Sequence, residues 1–320
     1  MEKVKVAVIG VGHLGRFHAF KFAELEEAEL VALVDVNENQ LKKVAHELKE
    51  RYQLTPQLLT TYKDASDLVQ AVSIATPTYT HYEIASYFLR QGKAVFLEKP
   101  ISSSLKEAET LVKLAKENRA PLQVGYIERF HPGIKELLTT VQKPVFIEAH
   151  RLSPFPYRNL DIDVVLDLMI HDLDLVLCLN KNTKVKMLHA VGAPVFSELP
   201  DIVNARLVFE NGVTCNLTAS RISTRRERRF RVFEKGAYHL VDTLNHSYTC
   251  LKVKKQEIDY DHIEKTYDGV DPLKSELKSF LKSILSNTSP LVTGEEALES
   301  LRLAFLIKQD VENNLKYLYE

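Results

Sequence analysis

Val4-Lys-Val-Ala-Val-Ile-Gly10-Val-Gly12-His13-Leu14-Gly15 is a short apolar strand that runs into three spaced glycines and then into a helical pattern. Glycines at these positions let the chain turn tightly, bring backbone close to a pyrophosphate and pack a helix on a strand, with the N–H groups of the helix start facing the phosphates. Such a motif is common by itself. Here the next strand ends in Asp35, twenty residues beyond Gly15, where a carboxylate accepts from ribose hydroxyls. Together the two features predict a dinucleotide site. Asp35 repels a 2′-phosphate and Val36-Asn37 brings no cation, so NAD is expected in preference to NADP. His13 and Leu14 join Gly10, Gly12 and Gly15 in that loop, where contacts come from backbone.

Outward from this stretch, short β-branched runs alternate with helical patterns, as in a βαβ series with a parallel sheet. Strands are predicted at Lys3–Ile9, Glu29–Val34, Ala71–Ala75, Ala94–Leu97 and Leu122–Val124, with a weaker one at Leu58–Thr60. Helices are predicted at Glu38–Arg51 and Leu105–Asn118, the latter behind capping candidates at Ser102-Ser-Ser. Past Gly125 the rhythm changes. One long helix is expected at Asp163–Leu179, then strands in direct succession at Lys184–Val191, Ile202–Glu210, Gly212–Ser220, Arg228–Glu234 and Ala237–Asp242, and helices again at Leu273–Leu285 and Glu295–Leu315. Asn211-Gly212 reads as a hairpin turn, so this sheet is expected to be mostly antiparallel. The fold class is therefore α/β, a doubly wound Rossmann domain over residues 1–122 followed by an α+β domain with an open sheet over 123–320.

The 320 residues suit two domains, and 42 Lys+Arg against 43 Asp+Glu with 45% hydrophobic residues describe an ordinary globular chain. A net charge of −1 gives no global pull toward nucleic acid or an anionic membrane, so neither is an expected partner. The first strand is too short for a signal sequence and no stretch approaches the length of a membrane span, which points to the cytoplasm. Cys178, Cys215 and Cys250 are odd in number, widely spaced and without metal-ligand spacing, and read as buried thiols.

Two further candidate sites lie at strand ends, where ligands bind in open parallel sheets. Ala75-Thr76-Pro77 with His81 follows one strand and Glu98-Lys99-Pro100 another. A charged pair at a strand end is often only solvated, but a lysine at this address can also reach a cofactor ribose and a substrate hydroxyl. Asp163, Asp167 and His171 step by four and share a helical face. They read as the polar side of an amphipathic helix or as acid/base machinery, since His suits removal of a hydroxyl proton near neutral pH. No third ligand at a convincing spacing supports a metal.

In order and spacing, Gly10-x-Gly-x-x-Gly15, Asp35, Ala75-Thr-Pro with His81, Glu98-Lys99-Pro100 and Asp167-x-x-x-His171 resemble the glucose-fructose oxidoreductase/inositol dehydrogenase/rhizopine catabolism (Gfo/Idh/MocA) family over nearly the whole chain. The resemblance implies nicotinamide-dependent oxidation or reduction of a sugar-like substrate, a catalytic set of Lys99, Asp167 and His171, and a homodimer or homotetramer formed through the second domain's sheet. Gly125-Tyr-Ile-Glu-Arg-Phe130, Arg151–Arg158 and Asp163–His171 look most like the branch that oxidises the 3-hydroxyl of UDP-N-acetylglucosamine for lipid A or surface-sugar synthesis. Tyr126, Arg151, Arg158, Asp163 and Arg225 are accordingly the candidate substrate contacts.

A nucleotide sugar needs cations for its diphosphate, and Arg221, Arg225, Arg226, Arg228, Arg229 and Arg231 put six arginines into eleven residues. Strand alternation sets Arg226 and Arg228 on one face and Arg225, Arg229 and Arg231 on the other, so only one set can line a site. The cluster also reads as a solvated strand face or a subunit contact. An inositol or free-sugar dehydrogenase would use the same catalytic set, and a non-catalytic dinucleotide-sensing regulator is the alternative of a different class.

Overall fold

The structure is a computed structural model that describes residues 2–155, 162–254 and 259–319. The chain divides into two compact units, Met1–Ile127 with Asp271–Glu299, and Glu128–Val270 with Ser300–Glu320.

In the first unit β1 (Val4–Ile9), α1 (His13–Glu24), β2 (Ala28–Val34), α2 (Glu38–Tyr52), β3 (Gln57–Leu59), β4 (Ala71–Ile74), α3 (Thr78–Arg90), β5 (Ala94–Glu98), α4 (Leu105–Glu117) and β6 (Leu122–Gly125) follow in order. All neighbouring strands are parallel, in the order β3-β2-β1-β4-β5-β6. Strand order reverses between β1 and β4, which opens a crevice outside their carboxyl ends, the position of ligands in this architecture. Asn37 caps α2 by accepting from the Asn39 and Gln40 amides, and Ser104, the last of the three predicted serines, caps α4.

The second unit holds α5 (Pro132–Thr140), β7 (Pro144–Leu152), a π-helical turn (Val165–Met169) running into α6 (Ile170–Leu179), and then β8 (Val185–Ala193), β9 (Ile202–Phe209), β10 (Thr214–Ser220), β11 (Glu227–Glu234), β12 (Ala237–Asp242), β13 (Ser247–Val253) and β14 (Tyr260–Thr266). Their order is β14-β13-β12-β11-β7-β10-β9-β8, antiparallel except for β7 with β10. The predicted hairpin turn is present, with Gly212 at φ +90° and the Asn211 side chain accepting from the Val213 amide.

Two helices follow, α7 (Pro272–Leu285) and α8 (Gly294–Tyr319). Placing everything past residue 122 in one second domain misses the return of the chain. The α7 residues Leu277, Phe280 and Leu281 join the apolar cluster of Val4, Val6, Val8, Phe22 and Phe96. Sequence reading also missed α5, β7, β13 and β14. The β7 strand carries a two-residue burial alternation, but its polar positions, Glu148, His150 and the buried Arg151, hide it from a reading by hydrophobicity alone. Among the described residues no helix is long and apolar enough to cross a membrane.

Phe280 is fully buried, with its ring 5.8 Å from that of Phe96. Phe280→Ala is expected to lower stability by about 3–5 kcal/mol in urea titrations followed by circular dichroism. Amide exchange should speed up in β1 and β5. Acceleration confined to β7–β14 would contradict the assignment of α7 to the first unit.

Candidate functional site

The glycine loop is shaped by close backbone approach. Gly10 has φ +80°, and a Cβ there would stand 2.7 Å from Thr76 Cγ2 and 2.8 Å from the Ala75 carbonyl oxygen. At Gly15 a Cβ would lie 1.7 Å from the Gly10 carbonyl oxygen, which locks the helix start against the strand end. Gly12 differs, because a Cβ there would meet nothing within 4 Å. It is also the N-cap of α1 and makes no side-chain cap, so the first-turn amides of α1, from His13 and Leu14 onward, face an open cradle. Asp35 completes the loop. Its Oδ2 accepts from the Val11 amide and its Oδ1 from the Asn37 amide, both at 2.9 Å, and Gln40 donates to the Val11 carbonyl at 2.8 Å. These residues fit a dinucleotide.

Ala75, Thr76 and Pro77 leave β4, and Pro77 is the N-cap of α3. Buried His81 ties this turn to the next strand end, its two ring nitrogens each 2.9 Å from a carbonyl oxygen, of Thr76 and of Pro100. Burial lowers its pKa from the usual value. His81 therefore positions the loop and does not face a ligand through its ring.

Glu98 has a similar inward role. Its Oε1 lies 3.0 Å from Nε2 of buried His18, whose Nδ1 is 2.8 Å from Ser73 Oγ, and its Oε2 accepts from the Lys99 amide at 3.3 Å. Burial alone would raise the Glu98 pKa, but the His18 hydrogen bond and charge and the Lys99 charge carry it below the ordinary carboxylate range. Gly125 leaves room for it, since a Cβ there would stand 3.1 Å from Oε2. Lys99, half-buried, thus follows a strand end fixed from α1, β4 and β6. His18 escaped the sequence reading. Its signal is position, three residues past Gly15 on the buried side of α1 with Ala19 and Phe22.

In the second unit the expected continuous helix is interrupted. Asp163 stands outside it as a cap, its Oδ1 accepting from the Val165 and Leu166 amides at 2.9 and 3.1 Å and its Oδ2 pairing with Lys308 at 2.7 Å. Both carboxylate oxygens are engaged and the residue is buried, so Asp163 acts on the backbone and not on a substrate. The Ile170 amide bonds the Val165 carbonyl, the i→i+5 pattern of a π turn, a feature common at functional sites. Asp167 lies within that turn and His171 at the start of α6, both half-buried.

The acids that follow His171 are held by two arginines. Arg151 on β7 grips Asp172 with Nε and Nη2 at 3.0 and 2.8 Å and Glu128 with Nη1 at 2.7 Å, while Arg129 grips Asp174 with Nε and Nη2, both at 2.7 Å. All five are buried. For Glu128 burial pushes upward, but the Arg151 charge and hydrogen bond carry its pKa below the ordinary value. Arg151 is accordingly an internal clamp and corrects the expectation of a substrate contact. Tyr126 is likewise buried, at 1% exposure. Arg225 is exposed at the bend before β11, and Arg158 lies outside the described residues.

The predicted residues therefore gather in two groups, the glycine loop, Asp35, Ala75–His81 and Glu98–Lys99 in the first unit, and Asp167 with His171 in the second. A family profile described as "Oxidoreductase family, NAD-binding Rossmann fold" matches residues 4–126, and one described as "GFO/IDH/MocA C-terminal domain" matches 143–239. The chain belongs to the GFO/IDH/MocA family. It is a nicotinamide-dependent oxidoreductase. Among relatives in the GFO/IDH/MocA family, it is 35% identical to UDP-N-acetylglucosamine 3-dehydrogenase of Acidithiobacillus ferrooxidans over 98% of each chain. It is 26% identical to myo-inositol 2-dehydrogenase of Thermotoga maritima, with 97% of this chain and 96% of that one covered. The solved structure of the Acidithiobacillus enzyme superposes with a TM-score of 0.89, covering 98% of this chain and 99% of that one at 34% identity.

Two substitutions separate the glycines. Gly15→Ala is expected to distort the loop and lower the melting temperature by several degrees, whereas Gly12→Ala should melt like the wild type yet bind NADH at least roughly tenfold more weakly in a fluorescence titration. Arg151→Met leaves two buried carboxylates unpaired and should cost about 3–5 kcal/mol in chemical denaturation. Wild-type stability in Arg151→Met would refute the clamp.

Proposed function

We propose that the chain is a dehydrogenase that oxidises a sugar hydroxyl to a ketone, with the 3-hydroxyl of UDP-N-acetylglucosamine as substrate and NAD as the hydride acceptor. The observation that carries this reading is the 35% identity, along the full length, to a UDP-N-acetylglucosamine 3-dehydrogenase. NAD over NADP is supported by Asp35 at the end of β2, since a carboxylate repels a 2′-phosphate, and by the neighbouring Val36, 91% exposed, and Asn37, neither of which brings a cation.

A bound nicotinamide would supply the acceptor for the hydride that leaves the carbinol carbon. The amides at the start of α1, which no side chain caps, would hold its pyrophosphate. His171 removes the hydroxyl proton as a general base. The Lys99 ammonium hydrogen-bonds the same oxygen and stabilises the negative charge that develops there, a use of placed charge worth several kcal/mol at a reacting centre. Asp167 orients His171 and favours its charged form once the proton has been taken. The expected setting is the cytoplasm and the expected assembly a homodimer or homotetramer. A second reading, a free inositol or sugar as substrate, is favoured by the 26% identity to myo-inositol 2-dehydrogenase and uses the same three residues.

The test is NADH formation from NAD with UDP-N-acetylglucosamine, inositol or N-acetylglucosamine, each with hydroxylamine present to trap the ketone. Turnover with the nucleotide sugar is expected. Turnover with inositol alone would replace this substrate by the second reading. Lys99→Ala and His171→Ala are each expected to lower the rate by about 100-fold or more while NADH still binds. Wild-type rates in both would overturn the mechanism.

A further inference from the structure

The six arginines between Arg221 and Arg231 separate sharply in their surroundings. Arg221 is fully buried, paired with Asp201 at 2.9 Å and donating to the Ile162 carbonyl at 2.8 Å. Arg229 and Arg231 share one face of β11 and meet acids there, Asp242 at 3.3 Å and Glu148 at 2.9 Å. Arg225 and Arg226 are exposed at the bend before the strand. Arg228 alone lies within β11 on the side of Phe230 and Val232, the face that packs into the core.

The register sets Arg228 directly across from Arg151 of β7. The single acid within ion-pair reach of Arg228 among the described residues is Glu128, with Oε1 at 4.0 Å, and that same oxygen already accepts from Arg151 at 2.7 Å. Arg228 therefore has no counter-ion of its own. Partial burial and the positive charges of Arg151 and Arg226 lower its pKa, while Glu128 and Asp172 oppose them. Its side chain is 49% exposed, open enough to receive an anion from solvent. An anion held there would adjoin the Arg151–Asp172 pair, one residue from His171.

We propose that Arg228 is a specificity-determining residue that reads the diphosphate of a nucleotide sugar beside the helix carrying His171. A guanidinium offers five donors in a planar fork that matches two phosphate oxygens, and charge-assisted bonds of this kind are about twice as strong as neutral ones. The inference rests on the nucleotide-sugar reading and adds the residue that separates such a substrate from a free polyol, which has no charge for Arg228 to meet.

UDP, which carries the diphosphate without the reacting sugar, is the probe. Isothermal titration of UDP into the full chain is expected to show binding that Arg228→Gln weakens roughly tenfold or more, that Arg228→Lys partly restores, and that Arg229→Gln on the opposite face leaves unchanged. The melting temperature of Arg228→Gln should match the wild type, because half of the side chain is already in water. The inference is overturned if wild type does not bind UDP, if Arg228→Gln binds it as wild type does, or if Arg229→Gln loses as much. UDP binding that depends on Arg228 without oxidation of UDP-N-acetylglucosamine would support the diphosphate site and sink the proposed reaction. Oxidation that is indifferent to Arg228→Gln would do the reverse.

Discussion

A carboxylate taken out of water must be given a partner or lose its charge, and this requirement organises the surroundings of the α6 helix. Asp172 and Asp174 both follow His171 within three residues, and each meets a buried guanidinium. Arg151 reaches from β7 and Arg129 from the turn after β6, with Glu128 closing the set on Arg151. Ion pairs of this sort add little net stability compared with an apolar core. What they do is fix geometry, because each bidentate grip leaves the carboxylate few orientations, and through the backbone it leaves few for the histidine just before them.

The first unit applies the same requirement differently. Glu98 is held by a histidine from α1 and by the amide of the residue that follows it, and that histidine leans on Ser73 of β4. The strand end that carries Lys99 is thus pinned from below by side chains of the first unit. His81 does the same for the Thr76 turn through two carbonyls. In both units the residues next to Lys99 and His171 are turned inward, while Lys99 and His171 themselves are left half-buried.

The glycine loop and Asp35 were legible in the sequence because their roles are local: a φ, a close approach, a strand end. The strands of the first unit followed from periodicity in the same way. What stayed hidden was long-range. Arg151 reads as a substrate contact, and only the fold shows that its partners are Glu128, before it, and Asp172, after a break in the pattern. Asp163 repeats at the helical spacing of Asp167 and His171, yet its oxygens are taken by two amides and Lys308, the last from a helix at the other end of the chain. The return of α7 to the first sheet left no mark either, since an amphipathic helix does not say which sheet it will cover.

The π turn at Val165–Met169 holds one residue more per hydrogen-bonded ring than the helix it joins. Loss of a single residue there would close it to a regular α-helix and rotate everything downstream by about 100°. That rotation would carry the buried Leu173, Leu175 and Val176 out of the apolar core and take Asp172 and Asp174 off Arg151 and Arg129. In evolutionary terms the extra residue is held in place by the charges it positions, because a one-codon deletion would leave buried carboxylates and guanidiniums unpaired.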